Sequence, residues 1–67
     1  MEVEVVYMKN VYDEFGQYVE AREVGREVYC VESVSDIVSE VVNALDVFGA
    51  DFADLFVDGE YYDSVVR

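Results

Sequence analysis

The chain has 67 residues, with 16 Asp and Glu against 4 Lys and Arg, and its formal net charge is −12. Hydrophobic residues make up 54% of it, too many for a disordered acidic tail, which predicts one small domain over residues 1–67. Because it has no His, it lacks the usual acid–base group of neutral pH, Ser–His and Cys–His nucleophile pairs and imidazole metal sites. We therefore expect a protein that is not an enzyme and has no cofactor.

The charge also constrains partners and location. Binding to nucleic acid or to an anionic membrane requires positive surface, so we expect neither and predict a basic protein partner. No apolar run reaches the roughly 18 residues of a membrane span, and the first residues are acidic where a secretory signal is basic. We therefore expect a cytoplasmic protein. The single cysteine, Cys30, lies in an apolar run and is predicted to be buried.

The first half of the chain predicts a three-stranded antiparallel meander. Its first segment is rich in β-branched and aromatic residues and places Val3, Val5 and Tyr7 on one face. Gly16 closes a turn after it, and Gly25 with the following arginine predicts a second tight turn. The predicted strands are residues 3–12, 17–24 and 27–32.

After residue 32 the spacing of apolar residues changes from two to about 3.6, which predicts a helix. Ser33 is the expected capping residue at its start, and Gly49 is expected just past its end. Valine is a weak helix former, so burial against the sheet must stabilise this helix. The stripe that would face the sheet consists of Ile37, Val41, Ala44, Leu45 and Phe48.

The last third allows two structures. Phe52, Leu55 and Phe56 have helical spacing and favour a short acidic helix ending near Gly59. Asp58-Gly59 between two apolar runs would also serve as the turn of a hairpin. With residues 61–66 as a C-terminal strand or extended segment, the predicted fold is α+β: a three-stranded antiparallel meander packed on one main helix, followed by the short helix.

The acidic residues are distributed unevenly. Between residues 27 and 66 there are ten Asp and Glu and no Lys or Arg. Carboxylates three or four residues apart on a helix, or two apart on a strand face, lie roughly 6 to 7 Å apart, similar to successive phosphates of a DNA strand. Asp51, Asp54 and Asp58 are predicted to form one such row, and Asp36, Glu40 and Asp46 a less regular one. A row of this kind would occupy the basic groove of a nucleic-acid-binding enzyme and exclude its substrate. The predicted partner-binding residues are Asp36, Glu40, Asp46, Asp51, Asp54, Asp58, Glu60, Tyr61, Tyr62 and Asp63.

The order of strands, a Ser-capped helix and a short acidic aromatic segment resembles small phage-encoded DNA mimics, in particular type II-A anti-CRISPR proteins. The resemblance rests on Tyr29-Cys30-Val31-Glu32-Ser33, Ile37-Val38-Ser39-Glu40, Asp51-Phe52-Ala53-Asp54 and Glu60-Tyr61-Tyr62-Asp63. Uracil-DNA glycosylase inhibitors and antirestriction proteins share this acidic character. The resemblance implies a phage protein in the host cytoplasm that inhibits a CRISPR effector nuclease or another defence or repair enzyme.

Other interpretations of the acidity remain open. Salt adaptation in a halophile would give an acidic interaction module, although the 54% hydrophobic share counts against it. An antitoxin-like partner protein is a further alternative. Asp58, Glu60 and Asp63 lie close enough in sequence to suggest a calcium or magnesium site, but they lack the ligand spacing of an EF-hand. The exposed tyrosines expected in so small a domain make a homodimer conceivable.

Overall fold

Four strands form one antiparallel sheet in the computed structural model, which describes all 67 residues. The strands are β1 (Glu2–Tyr12), β2 (Tyr18–Cys30), β3 (Phe52–Val57) and β4 (Glu60–Val66). Their order across the sheet is β2-β1-β3-β4. Between β2 and β3 lie a 3₁₀ turn, Val34–Ile37, and one short helix, α1 (Val38–Phe48). The predicted three-stranded meander on a main helix is therefore wrong: the sheet has four strands and the helix is small.

The first error concerns Gly25, which is not in a turn. The strand β2 runs through it without a break, so the two predicted strands 17–24 and 27–32 are one. The register against β1 shifts between Tyr7 and Met8, where Gly25 pairs with Tyr7 and Glu23 with Met8, so that Val24 is the extra residue of a β-bulge. Glycine within a strand commonly marks a bulge or a close approach of another group rather than a turn.

The second error concerns residues 51–59, where the hairpin alternative is correct and the favoured helix is wrong. Strands β3 and β4 pair antiparallel through the turn at Asp58 and Gly59. Both turn residues have positive φ, 49° and 88°, which is the requirement of a two-residue type I′ turn. The turn chemistry of Asp-Gly therefore outweighs the helical spacing of the apolar residues before it.

The helix forms where the change of period predicted it. The Ser33 hydroxyl accepts a hydrogen bond from the backbone of the first turn, and the Asp36 carboxylate accepts one from the Ser33 amide, which completes a capping box. Gly49 ends the helix with a left-handed φ of 64°. Its inward stripe packs on one face of the sheet, and the buried core consists of Val3, Val5, Tyr7, Ile37, Val41, Leu45, Ala50, Ala53 and Leu55.

Two parts of the sheet have no partner element. The pairing of β1 with β3 stops at Met8, so the rest of β1 and the start of β2 project as a two-stranded arm with exposed Tyr12, Phe15 and Tyr18. The face of the sheet opposite α1 is uncovered, and Cys30 on that face is exposed, contrary to the prediction that it is buried. The single α-helix, with 11 residues, is too short to cross a membrane.

Candidate partner-binding surface

The first predicted row of carboxylates does not form as a row. The spacing of Asp51, Asp54 and Asp58 predicts a row on the short helix, but these residues flank or belong to strand β3. Asp51 accepts a hydrogen bond from the Asn10 amide at 2.8 Å, and Asp54 accepts one from the Ser64 hydroxyl at 2.7 Å. Asp58 accepts one from a β1 amide at 3.2 Å. Each carboxylate therefore stabilises a different contact between segments of the sheet.

The second predicted row, Asp36, Glu40 and Asp46, lies on the 3₁₀ turn and α1. Asp36 belongs to the capping box, and Asp46 forms an ion pair with Arg67 at 2.9 Å. The Arg67 guanidinium also donates to the carbonyls of Leu45, in the last turn of α1, and of Ala50, just beyond the helix, at 3.1 and 2.9 Å. Of the three predicted residues, only Glu40 makes neither an ion pair nor a hydrogen bond.

The carboxylates that make no intramolecular contact are all glutamates. Every aspartate accepts a hydrogen bond or forms an ion pair within the protein, and Glu4, Glu20 and Glu23 are paired with arginines. Glu27 accepts a hydrogen bond from a tyrosine. The side chains without an ion pair or a hydrogen bond are Glu2, Glu14, Glu32, Glu40 and Glu60.

Three of these glutamates meet at one end of the sheet. Glu2 opens β1, Glu32 follows β2, and Glu60 opens β4, while Asp58 lies in the turn between β3 and β4. Pairing of Glu2 with Cys30, of Val3 with Val57 and of Val57 with Glu60 brings these strand ends together. We call this set the acidic end; in the order of the strands it consists of Glu32, Glu2, Asp58 and Glu60.

The basic side chains lie elsewhere. Lys9 and Arg22 pair across the arm, and Arg67 lies at the C-terminus of α1, which is the opposite end of the helix from the acidic end. Arg26 lies opposite Val6, at mid-sheet, and bridges Glu4 and Glu23. The positive group at the acidic end is the amino group of Met1, which donates to the Val31 carbonyl at 2.7 Å.

The sequence predicts only part of this set. Asp58 and Glu60 were identified, but Glu2 and Glu32 were missed because they are distant in sequence and meet only through the pairing of β1 with β2. The alternation of Glu2 with Val3 would have placed it on the solvent side of the first strand. Only the strand register shows that it adjoins the β3–β4 turn.

The predicted aromatic residues Tyr61 and Tyr62 are both exposed, so neither belongs to the core. The Tyr61 ring meets Phe56 edge to face at 5.9 Å, and its hydroxyl lies 2.7 Å from that of Ser64. Asp63 bonds only to the neighbouring backbone. A shallow pocket of about 300 Å³ next to this pair is lined by Glu2, Glu4, Phe56 and Gly59, so the acidic end is continuous with an aromatic surface.

A buried tyrosine, Tyr7, lies on the face of the sheet that α1 covers. Tyr7 donates to a Glu27 carboxylate oxygen at 2.7 Å, and burial, followed by the adjacent Glu27 charge, raises the pKa of Tyr7 above its usual range. The pKa of Tyr29 is raised for the same two reasons. Both phenols therefore stay protonated at neutral pH, and Tyr7 acts as a hydrogen-bond donor in the core rather than as a base.

No group of three or more Cys, Asp or Glu side chains is arranged to share a metal ion. The three carboxylates considered for calcium or magnesium diverge: Asp58 bonds to the β1 backbone, and Asp63 bonds within β4. Comparison with protein-family models, curated proteins and solved structures finds no match for this chain.

Proposed function

We propose that this protein is a non-enzymatic inhibitor that mimics the phosphate charge of DNA and blocks the basic nucleic-acid-binding groove of a host enzyme. A CRISPR effector nuclease is one enzyme of this kind. The observation that supports the proposal most is the acidic end, where Glu32, Glu2, Asp58 and Glu60 follow one another across four strand ends with no Lys or Arg among them.

The spacing of the acidic end suits the recognition of phosphate-binding side chains. Neighbouring strands lie about 4.8 Å apart, so the four strand ends span roughly 14 Å, with Glu2 on the face opposite α1 and Glu60 on the face that α1 covers. Successive phosphates of a DNA strand lie roughly 6 to 7 Å apart, so a span of about 14 Å corresponds to roughly three phosphates, the groups to which basic side chains of nucleic-acid-binding proteins bind. The acidic end would therefore pair with several of them at once.

The scaffold fixes the backbone at the centre of the acidic end, and the Asp58 carboxylate with it, before binding. Glu2 and Asp58 are joined by two hydrogen bonds, from the Glu2 amide to the Asp58 carboxylate at 3.2 Å and from the Asp58 amide to the Glu2 carbonyl at 2.9 Å. A rigid site loses less conformational entropy on binding than a flexible acidic tail. The net charge of −12 adds long-range attraction toward a basic partner and makes association fast and salt-sensitive.

A capture experiment followed by a competition assay tests the proposal. The immobilised protein is incubated with a bacterial lysate at low ionic strength, and bound proteins are eluted by raising the salt. Each eluted protein that binds a fluorescent DNA duplex is then titrated with the free protein. We expect competitive displacement of the duplex that weakens as salt is added.

Two results would contradict the proposal: elution of no nucleic-acid-binding protein, or eluted proteins that retain their DNA at saturating concentrations of the acidic protein. Folding must be measured in the same dilute buffer by circular dichroism. An inhibitor is expected to be folded there, whereas a protein adapted to high salt is expected to unfold, because its carboxylates then repel one another unscreened.

A further inference from the structure

The face of the sheet that α1 does not cover carries a second apolar surface. Because side chains alternate along a strand, the residues next to Val3, Val5 and Tyr7 point to the other side. Cross-strand pairing then fixes their neighbours: Val28 with Glu4, Phe56 with Glu4, and Tyr61 with Phe56. We call this surface the open face; its apolar members are Val6, Met8, Val28, Phe52, Phe56, Tyr61 and Val66.

The open face is more apolar than a solvated sheet face requires. Antiparallel sheets with one face in water normally alternate apolar residues inward with polar residues outward. Here Val6 is only 7% exposed although it points away from the core, and Phe52 and Phe56 are half-buried beside it. Val28 and Tyr61 remain 55% and 60% exposed. Phe56 lies beside Tyr61, and Phe52 lies between Met8 and Val66, across the strands. Exposed apolar surface of this kind marks a site of protein interaction.

The charges on the open face restrict what can cover it. Glu2, Glu4, Glu23 and Asp54 lie on this face, and its one cation, Arg26, is already paired with Glu4 and Glu23. A second copy would bring the same carboxylates together and add another −12 charge. Charge complementarity instead requires an occupant with apolar side chains in the middle and Lys or Arg at its margins.

We infer that the open face binds one amphipathic helix of a basic partner protein, with its apolar stripe against Phe52 and Phe56 and its cations toward Glu2 and Glu23 at the margins. The partner's basic character rests on the proposed function. The size of the occupant follows from the sheet, because a single helical segment, residues 34–48, covers its other face. The sheet is the same width on both sides, so one helix of about 10 Å diameter covers the middle of the open face as well.

A peptide probe tests this inference without knowledge of the partner. The probe is a synthetic helix of about 15 residues with Leu at i, i+3, i+4 and i+7 spacing and Lys at the flanking positions. The control peptide has the same composition in scrambled order. Amide chemical shifts of the isotope-labelled protein are followed during titration. We expect the probe to shift Val6, Met8, Phe52 and Phe56, and the scrambled peptide to leave these amides unchanged.

A charge placed on the open face supplies the matched variant. Val28→Lys introduces a cation at an exposed position of the open face, and Val47→Lys introduces one at an 81% exposed position of α1. Both change the net charge equally. We expect Val28→Lys to weaken binding of the probe by roughly tenfold, since a charge must be desolvated against the apolar stripe, and Val47→Lys to leave it unchanged.

Three results would overturn the inference: equal shifts with both peptides, no shift on the open face, or sedimentation showing that the free protein is a dimer joined through this face. The outcome is separable from that of the proposed function. Probe binding at the open face together with failure to displace DNA would retain this inference and reject the inhibitor. DNA displacement by a protein whose open face does not bind the probe would retain the inhibitor and reject this inference.

Discussion

Phe48, the last residue of α1, lies directly over Gly25 of strand β2, and a methyl group built on Gly25 would come within 2.5 Å of the Phe48 ring. The same ring packs on Tyr7 with centroids 4.6 Å apart. Glycine at this position lets the end of the helix reach the sheet beside the β-bulge. The contact therefore fixes how the C-terminal end of α1 lies on β2.

We predict that Gly25→Ala lowers the free energy of unfolding by about 1 to 3 kcal/mol, because the core has no space for the added methyl group. Phe48→Ala is destabilising on its own, but adding Gly25→Ala to it should cost little more. Urea unfolding of the two single variants and the double variant gives the coupling directly. If the losses of unfolding free energy in the two single variants were additive, the contact with Phe48 would not be what requires glycine at position 25.

The stability of the protein should fall at high pH because of Tyr7. Its pKa is raised in the folded protein, so above the usual tyrosine pKa of about 10 the unfolded chain releases a proton that the folded protein retains. The stabilisation is therefore complete below about pH 10 and is lost as pH rises, by up to about 1.4 kcal/mol per pH unit for each such tyrosine.

Replacing Tyr7 by Phe should make this decline shallower, and the remaining slope should come from Tyr29, whose pKa is raised in the same direction. Thermal unfolding measured between pH 8 and pH 11 tests the prediction, with Tyr12→Phe as a control at an exposed position. Equal slopes in the protein and in Tyr7→Phe would contradict it.

Arg67 should contribute more to stability than the other arginines on the surface. It donates to one carbonyl in the last turn of α1 and to one just beyond the helix, as well as pairing with Asp46, so Arg67→Ala should cost about 1 to 2 kcal/mol. Arg22→Ala, which removes a single exposed ion pair, should cost less than about 0.5 kcal/mol. Chemical denaturation of both variants compares them, and equal losses would show that the carbonyl contacts contribute nothing.

The β3–β4 turn should tolerate the loss of the Asp58 charge but not the addition of a side chain at Gly59, which has positive φ. Gly59→Ala places a side chain at a φ of 88° and should destabilise the protein by at least about 1 kcal/mol. Asp58→Asn keeps a residue that accepts positive φ and an oxygen that can receive the Glu2 amide, so its stability should change by less than about 0.5 kcal/mol. Similar losses in the two variants, measured by thermal unfolding, would contradict this account of the turn.

Elements set by local chemistry could be predicted from the sequence, and those set by contacts between distant residues could not. Ser33, Gly49 and the apolar stripe between them act within a few turns, so the helix was placed correctly. Gly25 looked like a turn residue because the ring that requires it is 23 positions away. Asp58-Gly59 was recognised as a possible turn. The residues before it form a strand because they pair with β1, which lies at the other end of the chain.

The candidate site shows the same division. The excess of carboxylates was evident from the sequence. The sequence did not distinguish Asp51, which accepts a hydrogen bond from the Asn10 amide, from Glu60, whose carboxylate makes no hydrogen bond or ion pair. Hydrogen bonds within the fold account for most of the predicted row. The residues left free at the acidic end come from both halves of the chain, and only the sheet order β2-β1-β3-β4 brings them together.

A matched pair of charge variants in the DNA-displacement assay tests the central claim most directly. Glu32→Gln with Glu60→Gln removes two free carboxylates from the acidic end, and Glu14→Gln with Glu20→Gln removes two from the arm, so both proteins carry a charge of about −10 and any general loss of attraction is equal. We predict that the first pair weakens displacement of DNA from the captured enzyme at least about tenfold, and that the second pair leaves it nearly unchanged. Equal weakening by both pairs would contradict the account, because net charge rather than the acidic end would then determine binding.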